Sequence, residues 1–183
     1  SFKTNPEEFI HNAIQLINDQ KASTVVKHIE YDKLNEKWDS GEIFINESIT
    51  GEYGYNLIDT PDHHLYDKLR YDSEVEKSFA QELDKSDAVE VYVKLPKRFY
   101  INTPMGNYNP DWAIAFKDEA GVKHIYFVAE TKGVNEGQLD VGVKGVEKAK
   151  IECARKHFEK ISNGDHIYGV CNSYEKLLEL VSY

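Results

Sequence analysis

The fold is decided by Asn109-Pro110-Asp111-Trp112-Ala113-Ile114-Ala115-Phe116 together with a second stretch, Ile125-Tyr126-Phe127-Val128-Ala129-Glu130-Thr131-Lys132. Each stretch contains an unbroken apolar run, which is typical of a strand buried on both faces. The polar side chains lie at one end of each run, with Asp111 before the first and Glu130 and Lys132 after the second. Because two strands joined by a short turn run antiparallel, these ends are expected to meet at one edge of a sheet.

The register of this hairpin follows from the turn that joins the strands. A two-residue turn at Ala120-Gly121 would place Asp111 directly opposite Glu130. Since side chains alternate along a strand, Lys132 would then share a face with Glu130. A slip of two residues would preserve the same grouping. The sequence therefore predicts that Asp111, Glu130 and Lys132 converge.

Two carboxylates and an ammonium group at one site are suited to phosphodiester hydrolysis. Mg²⁺ prefers oxygen ligands, so Asp111 and Glu130 are expected to bind it, with the backbone carbonyl of Thr131 as a further ligand. A bound metal polarises a phosphate oxygen and acidifies a water molecule. Lys132 would position that water or stabilise the charge that develops on the phosphate.

A helix that begins after Ser73 offers a fourth residue for this site. Its apolar positions repeat at helical spacing, and on the same spacing Glu76 points towards the core while Glu74 points away. Glu76 could therefore bind a second metal or orient a water molecule. An alternative stays open, because Ser73 and Glu76 also form a capping-box pattern that would account for the glutamate structurally.

Each of the other candidates also has a structural interpretation. Asp111 could simply start a strand, and Glu130 with Lys132 could be an exposed ion pair. Cys153 and His157 lie one helical turn apart, but two ligands are too few for a zinc site, so a packed helix face is favoured. The sequence Asp62-His63-His64 is interpreted as a surface loop. The conjunction of three polar residues at the ends of two apolar strands favours a site.

The rest of the chain supplies an α/β framework. Residues 1–70 are interpreted as a small N-terminal α+β appendage that docks on the rest of a larger protein, and residues 71–183 as the core. In the core, the predicted order of helix, three strands, helix, strand and helix indicates a mixed central sheet flanked by helices. The predicted helices are 6–20, a helix from Ser73, 144–161 and 174–181, and the predicted strands are 24–31, 42–46, 89–95, 111–116, 122–130 and 166–171.

Composition limits the function classes. The 183 residues carry a net charge of −10, which argues against general nucleic-acid binding and requires any such contact to be local. The stretch 144–160, with six Lys or Arg against three Glu, is the best candidate to face phosphates. Two isolated cysteines and the absence of a long apolar run favour a cytoplasmic protein without a membrane segment.

Several motifs together resemble the C-terminal endonuclease domain of the Res subunit of Type III restriction enzymes, over about residues 65–170. The pair Pro110-Asp111 with Glu130-Thr131-Lys132 matches the PD-(D/E)XK nuclease signature. The surrounding matches are Tyr71-Asp72-Ser73-Glu74-Val75-Glu76, Phe79-Ala80, Lys94-Leu95-Pro96, Thr103-Pro104-Met105-Gly106-Asn107-Tyr108-Asn109, Lys150-Ile151, Cys153 and His157-Phe158.

This resemblance implies a PD-(D/E)XK fold and Mg²⁺-dependent cleavage of double-stranded DNA, with Mn²⁺ as a substitute metal. It implies that Asp111 and Glu130 bind the metal, that Lys132 is the catalytic lysine and that the helical glutamate is Glu76. Full-length members carry an ATP-dependent helicase-like motor and work with a modification methyltransferase. This chain has no GxxxxGK[ST] motif, so ATP is expected to belong to the motor alone. Two alternatives are an inactive nuclease-like binding module and a metal nuclease that acts on RNA or branched DNA.

Overall fold

A computed structural model describes residues 5–32, 55–117, 125–129, 145–162 and 166–181. Within these ranges the predicted α/β class and the predicted order of core elements are confirmed. The predicted strand 42–46 and the turn Ala120-Gly121 lie outside the described residues. The elements are α1 (Pro6–His28), β1 (Leu57–Asp59), β2 (Lys68–Arg70), α2 (Glu74–Lys85), β3 (Val89–Lys94), β4 (Trp112–Phe116), β5 (Ile125–Ala129), α3 (Gly145–Ile161), β6 (His166–Val170) and α4 (Tyr174–Val181).

The centre of the fold is a four-stranded mixed sheet with the order β3-β4-β5-β6. The β3–β4 and β4–β5 pairs are antiparallel, whereas β5 and β6 are parallel. A parallel pair needs a long crossover connection, and α3 provides it. In the β3–β4 pair, Lys94 lies opposite Trp112, so the strand that follows Asp111 begins beside the last residue of β3.

The predicted register of β4 and β5 is wrong by one residue. The two-residue turn would have paired Trp112 with Ala129, whereas the structure pairs Trp112 with Val128 and Ala113 with Phe127. Both strands are apolar throughout, so their pattern does not distinguish registers that differ by one position. The expected pairing of Asp111 with Glu130 was derived from the predicted register. Because that register is wrong, it no longer supports this pairing.

The sheet is covered on both faces by helices. On one face, Trp112 and Ile114 pack with Phe79 and Leu83 of α2 and with Leu177 of α4. The opposite face carries a second apolar cluster, made of Ile101, Tyr108, Ile151, Ala154, Phe158 and Val170. Adjacent residues of β4 therefore point towards different helices.

The first helix is longer than the sequence predicts, and the predicted strand 24–31 is wrong. Helix α1 continues to His28, and the hydroxyl of Thr24 donates to the carbonyl of Gln20, 2.9 Å away, as in a continuous helix. The β-branched residues in this stretch favour a strand locally, but packing overrides that preference. Helix α1 packs on α3, with Ala22 buried, and the ammonium of Lys156 donates to the carbonyl of Ile29 at 3.2 Å.

The N-terminal half of α1 leaves its large apolar side chains exposed. Phe9, Ile10, Ile14 and Ile17 are each 49–54% exposed. Near the middle of α1, the carboxylate of Asp19 lies against the first turn of α3, where a Cβ atom on Gly145 would come within 2.5 Å of the Asp19 Oδ1 atom. A negative charge is favourable at a helix N-terminus. The division of the chain at residue 70 stays a prediction.

A small hairpin extends the sheet beyond β3. Strands β1 and β2 pair antiparallel, and the loop between them pairs with β3 through His63 and Leu65, whose backbone groups bond Tyr92 at 2.9 Å. The buried carboxylate of Asp84 accepts the amide N–H groups of His63 and His64 at 3.0 and 3.2 Å. The interpretation of Asp62-His63-His64 as a surface loop is wrong for His64, which is partly buried and whose ring centroid lies 4.9 Å from that of Tyr92.

Among the described helices, none is long and apolar enough to cross a membrane.

A partly buried histidine makes stability depend on pH. Burial lowers the pKa of His157, whose Nδ1 atom has no hydrogen-bond partner among the described residues and whose ring lies 5.0 Å from Tyr31. The unfolded chain therefore binds a proton as pH falls below about 6.5, before the folded protein does. We expect the free energy of unfolding to decrease as pH falls from 7 towards 5.

His157→Phe keeps the ring and removes the titration, so it should flatten part of this decrease in urea unfolding curves recorded at several pH values. His64, whose pKa burial also lowers, should supply a remaining part. An identical pH dependence in the variant and the wild type would contradict this account of His157.

Candidate functional site

Asp111 lies at the position where the chain enters the central sheet. It directly precedes β4, and its backbone carbonyl accepts the amide N–H of Leu95 at 2.7 Å, which extends the β3–β4 ladder by one residue. Its side chain is partly buried. The backbone of Asp111 is thus fixed by sheet pairing, so the carboxylate has a defined direction.

The buried Tyr108 and the partly buried Tyr168 identify the surroundings of Asp111. The hydroxyl groups of Tyr108 and Tyr168 are 2.7 Å apart. Burial raises the pKa of Tyr108, and the negative charges of Asp111 and Glu147 raise it further. Burial also raises the pKa of Tyr168, with Asp111 again contributing. The carboxylate of Asp111 therefore lies on the side of the sheet that α3 covers.

Asn109 fixes the chain just before Asp111. Its side-chain amide nitrogen lies 2.5 Å from the carbonyl oxygen of Phe99, 3.1 Å from that of Pro110 and 3.3 Å from that of Pro96. An amide group has two hydrogens to donate, so these carbonyls share them. One side chain thereby ties both ends of the turn 96–99 to the residue that precedes Asp111.

The other residues of the predicted PD-(D/E)XK signature, Glu130, Thr131 and Lys132, lie outside the described residues. Asp111 is the signature carboxylate that the structure describes. Its oxygen atoms are of the type that Mg²⁺ prefers. Among the described residues, no group of three or more His, Cys, Asp or Glu side chains lies close enough together to hold a metal ion. The described part of the chain therefore offers one candidate metal ligand at this edge, and its partners stay predictions.

Glu76 points towards the protein interior and Glu74 away from it, as the helical spacing predicts. The side chain of Glu76 is 15% exposed and that of Glu74 is 78% exposed. The capping pattern is half formed, since the Ser73 hydroxyl accepts the Glu76 amide N–H at 3.2 Å. The Glu76 carboxylate accepts the amide N–H of Asp72, at 2.7 Å, rather than that of Ser73.

The partner of Glu76 is Lys94, which the sequence interpretation did not assign to the site. The ammonium nitrogen of Lys94 lies 2.7 Å from Glu76 Oε2 and 2.9 Å from Asp72 Oδ2. Burial opposes the charged form of Lys94, but hydrogen bonds to both carboxylates outweigh it and raise the pKa. The position of Lys94 at the end of a predicted strand was the available signal that it belongs to the site. No local pattern connects it to Glu76, which lies 18 positions earlier.

The sheet separates this ion pair from Asp111. Lys94 and Trp112 are paired directly, so their side chains share the face that α2 covers. Asp111 precedes Trp112, and alternation places it on the other face. The structure thus brings Glu76 to Lys94 and Asp72. The role of Glu76 in catalysis stays a prediction.

Breaking the Lys94 ion pair should destabilise the fold. Lys94→Met removes the partner of a largely buried carboxylate, so we expect the free energy of unfolding to fall by about 1–2 kcal/mol. Lys176→Met is the matched control, because Lys176 pairs with the exposed Glu179 at 2.7 Å and should matter little. Equal stability of the two variants in urea denaturation would contradict a stabilising role for Lys94.

Asn109→Asp tests the amide that holds the turn. The substitution keeps the shape of the side chain but points a carboxylate oxygen at three carbonyl oxygens, which should lower the free energy of unfolding by about 1–3 kcal/mol. Asn107→Asp provides the control, since Asn107 is exposed in the same loop. Thermal melting followed by circular dichroism should separate the two, and a wild-type melting temperature for Asn109→Asp would argue against the proposed restraint.

Comparison with known families identifies the matched part of the chain. The sequence model of a family described as an endonuclease domain matches residues 62–176, which is more than half of the chain. Neither the comparison with curated proteins nor that with solved structures found a match. The matched stretch includes Asp111, Asn109 and the Lys94–Glu76 pair. On the strength of this match, the chain belongs to the family of endonuclease domains.

Proposed function

We propose that this chain is a divalent-metal-dependent nuclease domain of the PD-(D/E)XK type, which hydrolyses phosphodiester bonds of double-stranded DNA. Membership of the endonuclease-domain family supports nuclease activity. The observation that carries the proposal is the position of Asp111, a partly buried carboxylate fixed by sheet pairing at the start of β4. A mixed sheet with helices on both faces is the architecture expected of this type.

The proposed chemistry uses the carboxylates as metal ligands. Asp111 would bind Mg²⁺ together with Glu130 and the backbone carbonyl of Thr131, and Mn²⁺ would substitute. The bound metal would supply polarisation of a phosphate oxygen and a more acidic water molecule. Lys132 would stabilise the negative charge that develops on the phosphate as the water attacks.

The local surroundings of Asp111 suit this role. Burial raises the pKa of Tyr108 and Tyr168 on the α3 side, and both lie close enough to Asp111 for its charge to raise the pKa further, so both hydroxyls stay protonated at neutral pH. The two tyrosines on that side of Asp111 are therefore uncharged, whereas Glu147 and Arg155 of α3 are charged residues that act on the same tyrosine pair. A cation that binds Asp111 would experience the negative potential of Asp111 and of Glu147 of α3.

The proposed setting is a Type III restriction-modification system in the cytoplasm. In that setting the domain would act with a helicase-like motor of the same polypeptide, which would use ATP, and with a modification methyltransferase subunit. We propose these partners because the motifs around Asp111 resemble those of the Res subunit of Type III restriction enzymes. The predicted appendage of residues 1–70 would then contact the motor.

Asp111→Ala should abolish metal-dependent cleavage of a plasmid, because it removes the carboxylate that we propose binds the metal. We expect a loss of at least about 100-fold in rate, similar in size to the loss of an electrostatic group that stabilises a transition state. Asp87→Ala is the control, since it removes an equal charge from an exposed position at the other end of the sheet.

Cleavage should be measured with Mg²⁺ on duplex DNA, single-stranded DNA and RNA in parallel. Undiminished cleavage by a folded Asp111→Ala protein would end the assignment of this residue. Cleavage of RNA or of branched DNA alone would favour the alternative metal nuclease, and metal binding without any cleavage would favour an inactive binding module.

A further inference from the structure

The stretch from Val91 in β3 to Pro110 before β4 is unusual in its charge. Residues 91–110 contain three cationic residues, Lys94, Lys97 and Arg98, and no Asp or Glu. The whole chain has 32 acidic and 22 basic residues, so a stretch of this length would be expected to hold several acids. The acid-free stretch ends directly at Asp111.

Lys97 and Arg98 occupy the centre of a tight turn. The amide N–H of Phe99 donates to the carbonyl of Pro96 at 2.8 Å, which closes the turn with the two cationic residues at its middle positions. Both residues are exposed, whereas Leu95 and Pro96 before them are buried. The turn is therefore anchored at its base and presents its two cationic residues to solvent. We call residues 96–99 the basic turn.

The basic turn has a fixed position relative to Asp111. The Asn109 amide binds the carbonyls of Pro96 and Phe99, at the two ends of the turn, and that of Pro110, next to Asp111. A phosphate held at the turn would therefore be held at a set distance from the Asp111 backbone. Pre-arranged positions of this kind reduce the entropy that binding would otherwise cost.

The segment that follows the turn is also rigidly attached. Ile101 and Tyr108 exchange backbone hydrogen bonds of 2.7 and 2.9 Å, and both are buried against α3. Between them, Gly106 adopts a φ of 100° and its amide donates to the Thr103 carbonyl at 2.9 Å, which closes an exposed tip. The basic turn and this tip are thus two exposed segments, and hydrogen bonds and buried residues hold the chain between them.

Further cationic residues lie beside the basic turn. A hydrogen bond from Lys94 lowers the pKa of Asp72, and the positive charges of Arg70 and Lys97 act in the same direction. Arg70, Lys94 and Lys97 therefore surround one exposed carboxylate. Lys97 and Arg98 are both exposed, so a ligand can reach them from solvent.

We infer that the basic turn contacts the phosphate backbone of duplex DNA and holds it at a fixed distance from Asp111. This inference rests on the proposed function, and it assigns the phosphate contact to the β3–β4 connection rather than to α3. Lysine and arginine on an exposed turn give a sequence-independent contact. Such a contact would orient the scissile strand without reading its bases.

The test is the salt dependence of binding to a short fluorescein-labelled DNA duplex. All proteins carry Asp111→Asn, so that cleavage does not interfere, and affinity is measured by anisotropy at a series of NaCl concentrations. Let K be the association constant for the duplex. Loss of two phosphate contacts in Lys97→Ala/Arg98→Ala should make the slope of log K against log [NaCl] less negative by about 1.8, and loss of one contact in Lys97→Ala should make it less negative by about 0.9.

Lys85→Ala/Lys117→Ala is the matched control. It removes the same charge from exposed positions near the start of β3 and the end of β4, the opposite end of these strands from the basic turn. Its slope should equal that of the parent. Circular dichroism melting should show that every variant is folded.

Separate outcomes decide the inference and the proposed function. An unchanged slope in Lys97→Ala/Arg98→Ala, with normal duplex cleavage by the protein that retains Asp111, would overturn the inference alone. An equal change in slope for the control would overturn it too, because the effect would then be one of net charge. If the protein with Asp111 neither binds nor cuts the duplex, both fail, and tight binding of a single strand alone would contradict the duplex assignment.

Discussion

The hydrogen-bonded pairing of β3 with β4 is the constraint on which the described site depends. It places Lys94 opposite Trp112 and bonds Leu95 to the carbonyl of Asp111. Once that register is set, alternation sends Trp112 into the apolar cluster under α2 and Asp111 to the opposite face. A slip of one residue would bury the carboxylate among Phe79 and Leu83, at a large desolvation cost. The core therefore enforces the position of Asp111.

The same pairing explains the distribution of charge around the site. On the α2 face, the charge of the Lys94 ammonium group is neutralised by the carboxylates of Glu76 and Asp72 at the end of β3. Beyond Lys94 the chain has no further acid until Asp111, and its exposed cationic residues lie in one turn tied down by Asn109. An acidic chain can in this way present positive charge locally, which is the condition for contact with a polyanion.

Much of the framework could be predicted from the sequence because local patterns of capping and apolar residues determine it. The Ser73 cap and the helical spacing of Phe79, Ala80 and Leu83 predict α2 and the inward direction of Glu76, although Val75 stays 38% exposed. Continuous apolar runs likewise predict β4 and β5.

What could not be predicted depends on contacts between distant segments. Thr24, Val25 and Val26 favour a strand locally but extend α1, since the helix packs on α3. The β4–β5 register escaped prediction because two uniformly apolar strands pair equally well in neighbouring registers. Neither the partner of Glu76 nor the set of carbonyls that Asn109 binds follows from the spacing of residues along the chain, because these contacts join separate segments.

The most direct test of the central claim is a crystal structure of the chain soaked in Mn²⁺, with the metal located by its anomalous scattering. If Asp111 is a metal ligand of a nuclease site, an anomalous peak should lie about 2.1 Å from an oxygen of its carboxylate and be shared with a carboxylate oxygen of Glu130. Saturating Mn²⁺ that leaves Asp111 without a metal, or carboxylates of Asp111 and Glu130 too far apart to reach one ion, would contradict the account.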